Sequence, residues 1–129
     1  MRQARRPLRG FTLMEVLLVV VVLGVLAGLA IPNYRKTVEK AKSSEAVSNL
    51  KTLHLGEKIY FVDNSAYYGP NSDLAQINQN LNIDISEEHY DVAITAASAS
   101  AYTATASRIG GTKVFTITQT GQITEAGSF

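Results

Sequence analysis

The chain has 129 residues, with 12 lysines and arginines against 11 aspartates and glutamates, two histidines and no cysteine. That length holds one small domain with an anchor rather than two domains, and the lack of cysteine excludes a disulfide framework. The near-neutral total hides an asymmetry: Arg2, Arg5, Arg6 and Arg9 place four positive charges and no acid in the first ten residues. Beyond them, eight basic side chains face eleven acids, a formal −3, so that part has no strong basic character for nucleic acid.

The first predicted element is an apolar run. Phe11 to Ile31 is 21 residues with one charge, Glu15. At about 1.5 Å per residue this crosses a hydrocarbon core of about 30 Å. The preceding arginines stay cytoplasmic under the positive-inside rule, which puts everything after Ile31 outside the cytoplasm. A carboxylate within hydrocarbon costs about 2.5–3.5 kcal/mol on insertion scales, so such a residue tends to have a functional partner. Glu15 either sits near the helix end and reaches the headgroups, or pairs with a cation that enters the apolar layer beside it. A free α-amine on Phe11, made by cutting after Gly10, is such a cation. A secretory signal is the competing reading: Gly28-Leu29-Ala30 has small residues at suitable offsets, and a cut after Ala30 would release a soluble chain beginning Ile31-Pro32. The run is long for that signal, and Glu15 stands near its start.

The segment Gly10 to Tyr34, GFTLMEVLLVVVVLGVLAGLAIPNY, resembles the N-terminus of type IV pilins and the related pseudopilins. The resemblance is close over this segment and general over the rest. It implies that a prepilin peptidase cuts after Gly10, removes residues 1–10 as a leader and methylates the new N-terminal Phe11. It also implies that Glu15 neutralises the N-terminal amine of a neighbouring subunit during assembly. The expected organisation is a leader at 1–10, a transmembrane and assembly helix at 11–32, and a pilin-like head at 33–129. The expected partners are copies of the chain and other pilins, the prepilin peptidase, the inner-membrane assembly platform and the membrane itself. Such a subunit is held in the bacterial inner membrane as a single-pass protein with its C-terminus outside, then polymerised into a filament at the cell surface. Many pilins close a loop near the C-terminus with a disulfide; without cysteine, that feature does not carry over.

Within the span, Gly24 and Gly28 form a Gly-x-x-x-Gly pair, and Pro32 follows four residues later. Residues four apart share a helix face, so the glycines make a flat stripe where another helix can come close, although the motif alone is generic. Pro32 removes the amide that would bond the Gly28 carbonyl, which predicts a loosened or kinked helix there.

From Asn33 to about Asp63 the helix continues but turns amphipathic. Val38, Ala41, Leu50, Leu53, Ile59 and Tyr60 supply an apolar face, between Lys36, Glu39, Lys40, Lys42, Glu45, Lys51, Glu57 and Lys58. Glu39 and Lys42, three apart, are surface neighbours of opposite sign. Together the two parts predict one helix of roughly 50 residues, about 75 Å by its rise. Asp63-Asn64-Ser65 and Gly69-Pro70 end it with turn chemistry. Residues 71–89 form a connection with a short helix near 72–80. The acids Asp84, Glu87, Glu88 and Asp91 raise calcium, but no glycine lies between Pro70 and Arg108 to build a tight loop, and a solvated acidic edge fits better.

The last forty residues read as strands at 90–95, 102–107, 113–118 and 122–124, with an Ala-Ser loop at 96–101 and a glycine turn at Gly110-Gly111. Packed across the second half of the long helix, they predict an α+β fold with a small C-terminal antiparallel sheet. No catalytic constellation, cofactor motif or metal-ligand spacing emerges. His54 and His89 have no histidine or cysteine nearby in sequence. The expected function is a structural subunit of a type IV pilus-like filament, not an enzyme. A pseudopilin of a type II secretion or DNA-uptake system is the alternative, and a solitary anchored or secreted binding domain a more remote one. Major secretion pseudopilins usually carry a calcium loop near the C-terminus; here only Glu125 is acidic after Asp91, which favours the pilus.

Overall fold

A computed structural model describes residues 10–128. The four leader arginines lie outside the described residues. Helix α1 (Leu13–Asn64) runs for 52 residues, and the chain divides into two compact units, one up to Val38 and one from Glu39 onward.

In the first unit the described residues are helical from Leu13 onward. Every residue from Gly10 to Thr37 is exposed. Its 18-residue apolar window has a mean hydropathy of 2.8, long and apolar enough by composition to cross a membrane. Pro32 lies inside α1, and the helix is assigned continuously through it. Around that point the Asn33 side-chain amide reaches the Leu29 carbonyl at 3.5 Å, and the Thr37 hydroxyl donates to the Asn33 carbonyl at 3.0 Å. Side-chain bonds of this kind supplement a backbone ladder that the proline has thinned.

The second unit is an α+β fold, as the sequence predicts. Helix α2 (Leu74–Leu81) starts at Asp73, whose carboxylate accepts the Ala75 and Gln76 amides at 3.0 and 3.3 Å, the usual chemistry of an N-cap. It ends where Asn82 takes a left-handed conformation (φ 51°), which asparagine tolerates better than most residues. Strands β1 (Tyr90–Ala97), β2 (Tyr102–Arg108), β3 (Val114–Thr118) and β4 (Ile123–Ala126) follow as an antiparallel meander in the order β1-β2-β3-β4. β1 runs two residues past its predicted end, because Ala96 and Ala97 pair with Thr103 and Tyr102 beyond an irregularity at Thr95. Asn71 bridges Ile94 through two backbone bonds of 2.8 and 2.9 Å, so part of the outer edge of β1 is covered.

Alternation sends Tyr90, Val92 and Ile94 of β1, Tyr102, Ala104 and Ala106 of β2, and Phe115 and Ile117 of β3 into the core. The register places Ala104 between Ile94 and Ile117, and Ala106 between Val92 and Phe115. Ala104 and Ala106 are thus the small inward residues of β2, each set between large side chains on β1 and β3. From α1 the buried face is Ala46, Leu50, Leu53, Gly56 and Glu57. Ile59, predicted on that face, is instead exposed. At about 100° per residue it falls with Leu55 and Val62 on the far side of the helix, and the three are 64, 61 and 79 % exposed. Glu57 departs from the pattern in the other direction: read as part of the charged surface, it is fully buried.

Gly56 marks the closest approach of α1 to the end of α2. A Cβ there would lie 2.8 Å from Ile83 Cγ2 and 3.0 Å from Leu81 Cβ. Glycine is normally unfavourable in a helix by about 1 kcal/mol, so its place here is set by packing. Gly56→Val is expected to lower the stability of the detergent-solubilised protein by about 1–3 kcal/mol through overpacking, read as an earlier midpoint in urea melts followed by tyrosine fluorescence.

Candidate functional site

The helix start gathers three of the sequence-predicted residues. Gly10, Phe11, Thr12 and Glu15 line one open concavity. Phe11 is 80 % exposed. Thr12 caps α1: the Glu15 amide donates to the Thr12 hydroxyl at 3.2 Å and to its carbonyl at 3.1 Å. A threonine followed three residues later by glutamate, ahead of an apolar run, is the signature of a capping box. Sequence reasoning passed over Thr12, although Thr12-Leu13-Met14-Glu15 carries that signal. The cap places the Glu15 carboxylate in the first helical turn, where the helix dipole favours an anion. The site thus offers one carboxylate, exposed beside the backbone amides of an uncovered helix end, on a helix whose next charged residue is Arg35.

Gly24 and Gly28 lie further along, four residues apart, with Pro32 four residues beyond. A Cβ added at either glycine meets nothing within 4 Å. Nothing within the described chain demands glycine there.

In the head, polar contacts tie α1 to the sheet. The Arg108 guanidinium of β2 donates to Glu39, which also pairs with Lys42 at 3.5 Å. The hydrogen bond from Arg108 holds the Glu39 carboxyl below its usual range, against the opposing effect of burial. Ser43 meets the Tyr90 hydroxyl at 3.3 Å. One side of His54 faces Gly121, and its Nδ1 lies 2.5 Å from the Tyr102 hydroxyl. Burial, with Lys58 adding to it, pushes the His54 pKa down, and burial pushes that of Tyr102 up, with Glu57 and Tyr67 adding to it. The Tyr102 hydroxyl and His54 Nδ1 share this hydrogen bond, with the imidazole tautomer setting which of the two donates.

Glu57 is the least expected member. Its Oε2 accepts the Tyr68 amide at 2.8 Å, while Oε1 is buried without a hydrogen-bond partner. Burial raises its pKa to about 7, against the lowering effect of the Tyr68 bond. A carboxyl that keeps its proton removes the cost of a bare buried charge.

Two family models match the chain, one on each side of the boundary between residues 31 and 32. Residues 5–31 match the family described as "Prokaryotic N-terminal methylation motif", and residues 32–119 match "Type IV minor pilin ComP, DNA uptake sequence receptor". The type IV major pilin protein PilA of Myxococcus xanthus is 46 % identical over 59 residues, which are 46 % of this chain and 27 % of that protein. The type II secretion system core protein G of Dickeya chrysanthemi is 47 % identical over 62 residues, 48 % of this chain and 40 % of that protein. Its counterpart in Escherichia coli is 41 % identical over 69 residues, 54 % of this chain and 48 % of that protein. The matched segments span less than half the length of each of these curated relatives.

The buried carboxyl generates a pH prediction. Folded, Glu57 keeps its proton until about pH 7; unfolded, it loses it near 4.5. The stability it contributes is complete below pH 4.5 and is lost as pH rises through 7, a change on the order of 3 kcal/mol. Glu57→Gln keeps an acceptor for the Tyr68 amide without the titration. Between pH 5 and pH 8 the parent is expected to lose about 2–3 kcal/mol that the variant retains, measured by urea unfolding at both pH values. Equal pH slopes in the two proteins would mean that Glu57 is ionised in the folded state.

Proposed function

Because the chain belongs to the type IV pilin family, we propose that it is a filament subunit, held in the inner membrane by the first half of α1 and polymerised through that helix. The observation that carries this reading is the helix start: an apolar surface exposed on all sides from Phe11 onward, interrupted by one carboxylate directly behind a threonine cap. A surface like that is covered either by lipid or by the same segment of other copies. The methylation motif over residues 5–31 supports a cut after Gly10 and a free or methylated amine on Phe11. That amine is then the cation that enters the apolar layer to meet Glu15 of a subunit already in place.

Within one subunit Glu15 already has the helix dipole. Between subunits, pairing offsets the cost of two bare charges in a medium without water, and it fixes how far one helix slides past the next. Gly24 and Gly28, with open space at both Cβ positions, suit a face where a neighbouring helix comes close. The exposed stripe of Leu55, Ile59 and Val62 extends apolar surface into the second half of α1. Positive-inside asymmetry supports a single pass with the C-terminus outside, and the prepilin peptidase and an assembly platform are the partners this route requires.

A second reading, a DNA-uptake pilin, is favoured by the description of the family that residues 32–119 match. From Glu39 onward, six lysines and arginines face ten aspartates and glutamates, so contact with DNA would rest on local groups rather than on an overall basic field.

Glu15→Gln keeps the size and hydrogen bonding of the side chain and removes its charge. The variant is expected to insert and be cut like the parent, because a neutral side chain suits lipid better. As the sole copy, it is expected to yield at most a tenth of the parent's sheared filament protein, the equivalent of about 1.4 kcal/mol or more per subunit added. Parental yields would return Glu15 to the role of a headgroup-facing residue.

A further inference from the structure

Away from the helix start and from the buried Glu57, two carboxylates and an imidazole meet on the head. Glu45 comes from α1, and Glu88 and His89 from the segment just before β1. One ligand atom of each lies within 4.8 Å of the other two. His89 Nδ1 and Glu45 Oε2 are 3.0 Å apart, with both side chains about one-third exposed. Glu88 is exposed.

We propose that Glu45, Glu88 and His89 form a site for a divalent transition metal, with zinc the best-fitting ion. The donor set points there. Calcium and magnesium take all-oxygen shells, whereas one imidazole nitrogen with carboxylate oxygens suits zinc and its first-row neighbours. Three protein ligands leave a fourth position for water or for an outside group. The geometry is close to what is needed. Zinc–ligand bonds of about 2.0–2.2 Å in a tetrahedron put ligand atoms about 3.3 Å apart. The Glu45–His89 separation already meets this, and the Glu88 side chain has the freedom to close the rest.

The charge balance points the same way. Among the described ion pairs, Glu39 engages Arg108 and Lys42, and Glu125 engages Lys113, while the partner of Glu45 is His89. Two carboxylates this close repel unless a cation joins them, and a divalent ion neutralises both. The backbone that carries the ligands is held in place. Asn49, one turn after Glu45 on α1, donates its side-chain amide to the Ser86 carbonyl at 2.8 Å. The Val92 amide donates to Glu87 at 2.6 Å, and the Ile109 amide to the His89 carbonyl at 3.1 Å. A bound ion cross-links α1 to the segment ahead of β1, and so stabilises the head whether or not the chain is in a filament. The spacing of 44 residues between Glu45 and His89 explains why no ligand motif is visible in the sequence.

The test uses the full chain in detergent, titrated with zinc chloride by calorimetry and melted with and without zinc, with magnesium chloride as control. Zinc is expected to bind one ion per chain and to raise the melting temperature, while magnesium at the same concentration does neither. His89→Ala and Glu45→Gln are each expected to weaken zinc binding at least tenfold, and the exposed Glu88→Gln to weaken it less. The parent provides a readout that needs no variant to fold: the His89 ring nitrogens shift on zinc addition, and those of His54 do not. An absence of saturable binding, binding unchanged in the Glu45→Gln/His89→Ala double variant, or a shift at His54 alone would overturn the proposal.

Discussion

The proposed assembly depends on apolar helical surface that the described residues leave exposed. Between Phe11 and Ile31, fifteen large apolar side chains are each at least 49 % exposed. At about 1.5–3 kcal/mol for burying each side chain, tens of kcal/mol stand to be gained outside the fold. A surface of this kind suits lipid or the same segment of other copies, the two environments between which the proposed filament subunit moves. Glu15 is the one charged side chain in that run, and in the proposed assembly a neighbouring amine is its partner.

The second half of α1 obeys the opposite rule. It buries a single face, Ala46, Leu50, Leu53, Gly56 and Glu57, over a sheet whose central strand is kept small by Ala104 and Ala106. Polar contacts reach the sheet at Glu39–Arg108, Ser43–Tyr90 and His54–Tyr102. One continuous helix thus changes from an all-round apolar rod to a one-faced scaffold near Val38.

Much of this was legible in the residues, for identifiable reasons. Length and apolarity define the span, strict alternation defines the strands, and glycine pairs mark the turns, since each signal is local. At the helix start, Thr12 went unread even though the capping box signal Thr12-Leu13-Met14-Glu15 was present. What pattern could not supply was tertiary. Glu57 looks like one more surface acid until the fold encloses it, and Ile59 looks like core until the helix rotation set by Leu50 and Leu53 turns it outward. The meeting of Glu45 with His89 depends on a long loop returning to the helix, which no spacing rule encodes. The α+β plan was thus readable from periodicity, and the particular partners of buried or clustered polar groups were not.

In the proposed assembly, a cut after Gly10 exposes the Phe11 amine that meets Glu15 of a neighbouring subunit. Intact-mass and N-terminal peptide analysis of the protein recovered from sheared cell-surface material addresses it most directly. A chain that begins at Phe11 and carries one added methyl group on its amine is the predicted result. A chain that begins at Ile31, or one that still carries the leader arginines in assembled filaments, would contradict the account.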